Sequence, residues 1–254
     1  MDSSSFIISL LKEIVAGTNI QLVPAGDNIS GGYLLFSSGR KVYFLNSRWD
    51  INLQGSAKVV NDKSLTIKYL TEASFSTTKG VLVCSADDIY AYTNNLEFPL
   101  VAKPNTGNQG KDVFLVERFE DLDKILKNIF INTDKVRIEE KVIGKHFSFS
   151  VFNDEIYSVY EKKPFSSGEV LEDYTDHIDV RVRDYIIRSV QVFGLKLASV
   201  DVVCKSELDI AKPKDFVIIE INSAPSFRLY GSYNSKARNN IKKLYKNMID
   251  YLNN

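Results

Sequence analysis

The stretch FVIIEINSAPSFRLY, Phe216 to Tyr230, decides how the chain is read. Its apolar run Phe216-Val217-Ile218-Ile219 reads as a buried strand, and Pro225, which cannot continue a central ladder, closes it. Glu220 and Asn222 lie two apart and so point the same way from the strand end. A carboxylate beside an amide oxygen is the hard donor set that Mg²⁺ accepts when it also holds phosphates. The alternative is a pair of solvated side chains at a strand end, and the rest of the chain has to decide between them.

Upstream of that strand, Leu197 to Cys204 reads as another, with Asp201 set among Val200, Val202 and Val203. Burying a carboxylate there is costly unless it is paired or bound to a metal. Val182 to Phe193 has helical spacing and is closed by Gly194, while His146 to Phe152 and Glu155 to Tyr160 alternate around Asn153-Asp154 as an antiparallel hairpin ending in Lys162 and Lys163. Lys135 to Ile143 reads as a strand leading into Gly144, after a helix over Phe119 to Ile129. Phe98 to Pro104 is an apolar strand carrying Lys103 near its end; the loop Asn105 to Lys111 and a strand at Val113 to Val116 follow. Gly107 and Gly110 let that loop fold its N–H groups over phosphates with Lys103 beneath, or they mark an ordinary turn. It is not a Walker A loop, because Asp112 stands where Ser or Thr is required after Gly110-Lys111.

Nearer the start, Asn61-Asp62 caps a helix whose first turn holds Lys63, a position the helix dipole disfavours for a cation. A solvated lysine is the competing reading. A helix over Phe6 to Val15, strands in YLLFS and KVYFLN, a connector from Trp49 to Val60, a short strand Val81 to Val83, a helix near Ala86 to Leu96 and a terminal helix Lys236 to Leu252 complete the pass. Hairpins inserted between helices fit an α+β fold better than a regularly wound α/β sheet.

With 254 residues, 44% of them hydrophobic, the chain can bury a substantial core, as one composite domain or two lobes sharing a cleft. Lys+Arg and Asp+Glu number 32 each, so there is no excess positive charge for a general nucleic-acid or anionic-membrane binder. No run approaches the roughly 20 apolar residues that span a bilayer, and no signal-peptide pattern opens the chain, so a cytoplasmic location is expected. Cys84 and Cys204 sit in apolar sequence and are expected to be buried reduced thiols; with His146 and His177 the only histidines, a zinc site is not expected.

The segments NDKSLTIKYL, PLVAKPNTGNQGKDV, IEEKVIGKHFSFSVF, LASVDVV and IIEINSAPSFRLY, in this order, resemble the ATP-grasp carboxylate-amine ligases, and within them the cyanophycin synthetase and bifunctional glutathione synthetase group. The resemblance runs from about Leu34 to the C-terminus. It implies two α+β lobes clamping ATP between antiparallel sheets, with residues 1–57 as a short N-terminal segment, 58–141 as the N-lobe and 142–254 as the C-lobe.

By position, the resemblance puts Lys63 and Lys103 on the ATP phosphates and makes Thr106, Gly107, Asn108, Gln109, Gly110 and Lys111 the closing loop. It lines the adenine pocket with Glu139, Glu140, Lys141 and Val142, and implies Asp201, Glu220 and Asn222 as ligands of two Mg²⁺ ions. Arg228 would steady the substrate carboxylate or the phosphoryl group, and Arg228, Lys162 or Lys163 would face the tetrahedral oxyanion. Three features depart from the pattern: His146 stands where many members bind the ribose with a glutamate, Asp112 replaces a loop glycine, and Glu161 to Tyr174 is short. The region before Lys63 is also short, so missing substrate walls would come from a partner subunit, including a second copy of the chain.

The implied reaction is ATP-dependent joining of an amino-acid or peptide carboxylate to an amine through an acyl phosphate. A small-molecule kinase on the same fold and a nucleotide-binding pseudoenzyme or partner subunit are the alternatives.

Overall fold

The computed structural model describes residues 5–27, 29–85, 93–107, 112–163, 170–206 and 212–253. Helix α1 (Phe6–Val15) starts where Ser5 accepts a hydrogen bond from the Ile8 N–H at 3.4 Å, and it buries Ile7, Ile8, Leu10 and Leu11. An antiparallel meander follows, of β1 (Gln21–Pro24), β2 (Gly31–Leu35), β3 (Lys41–Leu45) and β4 (Arg48–Trp49), ordered as in sequence. Its inner residues Leu34, Val42, Phe44 and Trp49 share one hydrophobic cluster with α1 and with the C-terminal helix α6 (Ser235–Asn253). The first and last segments of the chain therefore stabilise one another.

The expected connector from Trp49 to Val60 instead contains β4 and a helix, α2 (Gln54–Asn61). Its periodicity is weak because Val60 is its one buried residue, so no apolar stripe marks it. Helix α3 (Lys63–Glu72) begins as expected, with Asp62 Oδ1 accepting from the Leu65 N–H at 2.9 Å.

The second sheet comprises β5 (Gly80–Val83), β6 (Leu100–Pro104), β7 (Phe114–Val116) and β8 (Val136–Glu140), ordered β5-β8-β6-β7 and antiparallel throughout. Helix α4 (Phe119–Phe130) buries Leu122, Leu126 and Ile129 against Leu100, Val116 and Val136. Strand β8 stops at Glu140, short of the expected Ile143, because its partner β6 begins at the opposing Leu100. Residues 86–92 of the helix expected at Ala86 to Leu96 lie outside the described residues. Cys84 is exposed rather than buried: it follows an edge strand, where apolar neighbours in sequence do not mean enclosure, whereas Cys204 is buried.

The third sheet is ordered β11-β10-β9-β12-β13, from β9 (Lys145–Phe152), β10 (Glu155–Lys162), β11 (Val170–Asp173), β12 (Leu197–Cys204) and β13 (Phe216–Asn222). The β9–β10 turn takes Asn153 and Asp154 at φ 47° and 63°, left-handed values that Asn and Asp tolerate better than most residues. Gly144, at φ 154°, leads into β9; a Cβ there would lie 2.1 Å from the Cys204 carbonyl oxygen, so only glycine lets the backbones meet.

One face of this sheet carries Phe147, Phe149, Val151, Val159, Val200, Val202 and Ile221, packed with Val182, Ile186 and Val190 of helix α5 (Val180–Gln191). The opposite face presents the polar residues of the strands' other register, as the period of two requires. Among the described residues no helix is long and apolar enough to cross a membrane.

Candidate active site

Strand pairing brings the acidic residues together. Asp201 on β12 lies opposite Glu220 on β13 and Ser148 on β9, and in the next same-face row Ser199 lies opposite Asn222 and Ser150. A bulge between Asp201 and Val202 shifts the register beside the row. Asp201 is 8% exposed, and its carboxylate accepts from Ser148 Oγ at 2.7 Å and Lys162 Nζ at 2.6 Å. Burial alone would push the Lys162 ammonium down, but the Asp201 charge and hydrogen bond overcome that and hold it above the ordinary lysine value. Glu220 faces Lys63 Nζ at 3.4 Å, and the same ammonium donates to the Gly107 carbonyl at 2.7 Å.

Both carboxylates thus hold cationic partners. With the Asn222 amide they form an all-oxygen donor set of the kind that suits Mg²⁺. The paired lysines show that the row draws positive charge to itself.

Across from this face, Lys103 near the end of β6 is 7% exposed and its ammonium bonds Glu139 Oε1. Glu139 also accepts from Arg137 Nε at 2.9 Å and from Thr78 Oγ1 at 2.8 Å. Burial would raise the Glu139 carboxyl, but the Lys103 and Arg137 charges hold it below the ordinary glutamate value. Glu140 pairs with Lys79 at 2.9 Å, and the Lys141 N–H donates to the Pro99 carbonyl at 3.0 Å. His146 is lowered to about 4, by burial first and then by the Lys162 charge, so its imidazole is neutral at pH 7.

A cleft of about 1700 Å³ is lined by residues of all three sheets. It takes in Lys63, Lys103, Thr106, Gly107 and Glu139 to Val142 on one side, and His146, Lys162, Lys163, Asp201, Glu220, Asn222 and Arg228 on the other. Every sequence-predicted site residue that is described therefore faces one space. Asn108, Gln109, Gly110 and Lys111 lie outside the described residues.

Sequence reasoning missed three contributors. Ser148 is a polar position in a strand whose apolar residues face the other way, a period-two signal that was available. Arg137, two residues before Glu139 in VRIEE, is a second buried charge in the same strand register. Arg48 on β4 also lines the cleft, and its sequence carries no signal of that. Its neighbour Trp49 and the Arg228 neighbour Phe227 both pack on Tyr245, with ring centroids 6.1 and 5.8 Å apart respectively. The exposed arginines next to these anchors border the same end of the cleft, and among the described residues neither makes an ion pair.

Known proteins share sequence and fold with this chain. The chain is 25% identical over 182 residues to D-alanine–D-alanine ligase B of Clostridium perfringens, covering 67% of this chain and 59% of that ligase. Cyanophycin synthetase of Synechocystis is 31% identical over 109 residues, 42% of this chain and 12% of that protein. A bifunctional glutathione synthetase from Pasteurella multocida superposes with a TM-score of 0.61 at 18% identity over 93% of this chain and 43% of its own. The chain thus spans about 59% of the length of the D-alanine–D-alanine ligase it matches. Residues 60–249, which hold Lys63, Lys103 and the acidic row, match the family described as the RimK-like ATP-grasp domain, and the chain belongs to that family.

Proposed function

We propose that the chain catalyses ATP-dependent ligation of a small-molecule carboxylate, an amino acid or peptide, to an amine through an acyl phosphate. The observation that carries this is the single cleft in which two buried lysines face a row of Asp201, Glu220 and Asn222. The ligases among its relatives support the reaction class.

In this reading Lys63 and Lys103 hold the phosphates of ATP, Thr106 and Gly107 lie beside them, and Glu140, Lys141 and Val142 border the adenine. Because the Lys141 N–H is engaged by Pro99, the donor toward the adenine edge is the Val142 N–H. Glu139 contributes by aiming Lys103, and the neutral His146 borders the sugar. Asp201, Glu220 and Asn222 would hold Mg²⁺, which when bound offsets charge on the transferring phosphoryl oxygens.

At the other end, Arg228 orients the carboxylate that attacks, with Arg48 beside it. Both arginines line the cleft, are exposed and make no ion pair among the described residues, which favours an anionic substrate beside them. Lys163, exposed at the rim, and Arg228 face the oxyanion formed as the amine displaces phosphate. No nucleophile of the protein is needed.

The test is incubation with ATP, Mg²⁺ and a panel of amino acids and dipeptides, reading ADP and product masses. ADP release that needs both a carboxylate and an amine, with a condensed product, is expected. A stable phosphorylated product would instead establish a kinase.

A further inference from the structure

Lys103, Glu139 and Arg137 form a cluster in which every member is at most 7% exposed. Two cations share one anion, so the cluster carries one surplus positive charge. The remaining Arg137 donors go to neutral oxygens: the Thr78 carbonyl at 3.3 Å, Thr78 Oγ1 at 3.5 Å and Ser64 Oγ at 3.4 Å. Among the described residues no second carboxylate bonds either cation. An unbalanced buried charge is costly. It becomes favourable when an anion arrives where the cluster meets the cleft, and Lys103 is its cation at that surface.

Arg137 also reaches the other phosphate-facing lysine. Ser64, which accepts from Arg137, donates its N–H and Oγ to Asn105 Oδ1 at 3.0 and 2.7 Å, and the Asn105 carbonyl accepts the Lys63 N–H at 2.9 Å. The guanidinium thereby ties the start of α3, where Lys63 sits, to the strand that carries Glu139.

We propose that Arg137 is a positioning residue. By neutralising Glu139 it keeps the Lys103 charge unspent, and it makes the floor of the cleft a cationic seat for a nucleotide phosphate. Without it, Lys103 and Glu139 form a neutral pair whose ammonium is held by its own carboxylate. The inference rests on the nucleotide reading given above.

A charge-balance experiment separates this role from plain structural support. Binding of MgATP is measured by calorimetry on the parent chain, on Arg137→Met, on Arg137→Lys and on the double variant Arg137→Met/Glu139→Gln, with thermal melts alongside. Arg137→Met, net neutral, is expected to weaken MgATP by at least about tenfold. The double variant again has one net positive charge and is expected to recover most of that loss, although it lacks even more of the native network. Arg137→Lys keeps the charge and is expected to bind within about threefold of the parent despite a lower melting temperature, because lysine lacks the fork that spans Glu139 and Thr78. If Arg137→Met does not fold, the other two variants carry the test.

Parent-like binding by folded Arg137→Met would overturn the proposal, as would a folded double variant that binds no better than Arg137→Met. Absence of MgATP binding in the parent would instead sink the nucleotide reading, and this inference with it.

Discussion

At the end of the cleft proposed to seat the nucleotide, Lys103 is 7% exposed and locked on Glu139, whereas at the end proposed for the substrate Arg228 and Arg48 are exposed and make no ion pair among the described residues. The first end is organised before any ligand arrives: its cations are oriented by buried hydrogen bonds, so little ordering remains to be done on binding. The second end is two arginines standing on aromatic anchors, Trp49 and Phe227, that meet on Tyr245. One of those anchors, with Arg48, comes from the meander, which precedes the matched family region at residues 60–249. On the proposed reading, residues 60–249 carry the chemistry, and Arg48, which lies before them, shares in the choice of substrate with Arg228 inside them.

The contrast can be broken at several points. Glu220→Gln keeps shape and removes a charge of the acidic row; turnover in an ADP-release assay is expected to fall on the order of 10³-fold or more. Near-parent activity would remove the metal assignment. Arg228→Met is expected to raise the KM for the carboxylate by about 10- to 100-fold while leaving the KM for ATP within about twofold, the signature of a lost substrate contact. Arg48→Met should show the same pattern at about 3- to 10-fold, as expected for an exposed charge screened by solvent. If either arginine variant instead raises the ATP KM, the two ends are not separate.

The smallest effect concerns stability. In the unfolded chain His146 takes a proton near 6.5 and in the folded protein near 4, so between those values the unfolded state binds more protons and stability falls as pH drops. His146→Asn should flatten that slope in urea titrations of the metal-free protein at pH 7 and pH 5. An unchanged slope would mean the imidazole is not desolvated.

The parts of the site legible in the sequence were those in which a charge interrupts an apolar run. Asp201 among valines, Glu220 after four apolar residues and Lys103 at a strand end each carry that local contradiction, and folding places them in one cleft. The cross-chain partners were not legible. Nothing near Arg137 announces Ser64 or Thr78, because those contacts depend on how α3 and the segment before β5 meet β8. Arg48 enters the cleft only because its meander packs on the C-terminal helix. Helix α2 escaped because one buried valine makes no pattern, and Cys84 misled because an edge strand can be apolar in sequence and open in space.

The most direct test of ligation follows an oxygen atom. Once the panel identifies a carboxylate substrate, it is labelled with ¹⁸O in both carboxyl oxygens and turned over with MgATP and the amine. Attack on the γ-phosphate followed by amine displacement moves one ¹⁸O per turnover into the released phosphate, and mass analysis is expected to find it there. Phosphate free of label, with the displaced ¹⁸O found in AMP or in water instead, would contradict an acyl phosphate and with it the proposed role of the cleft.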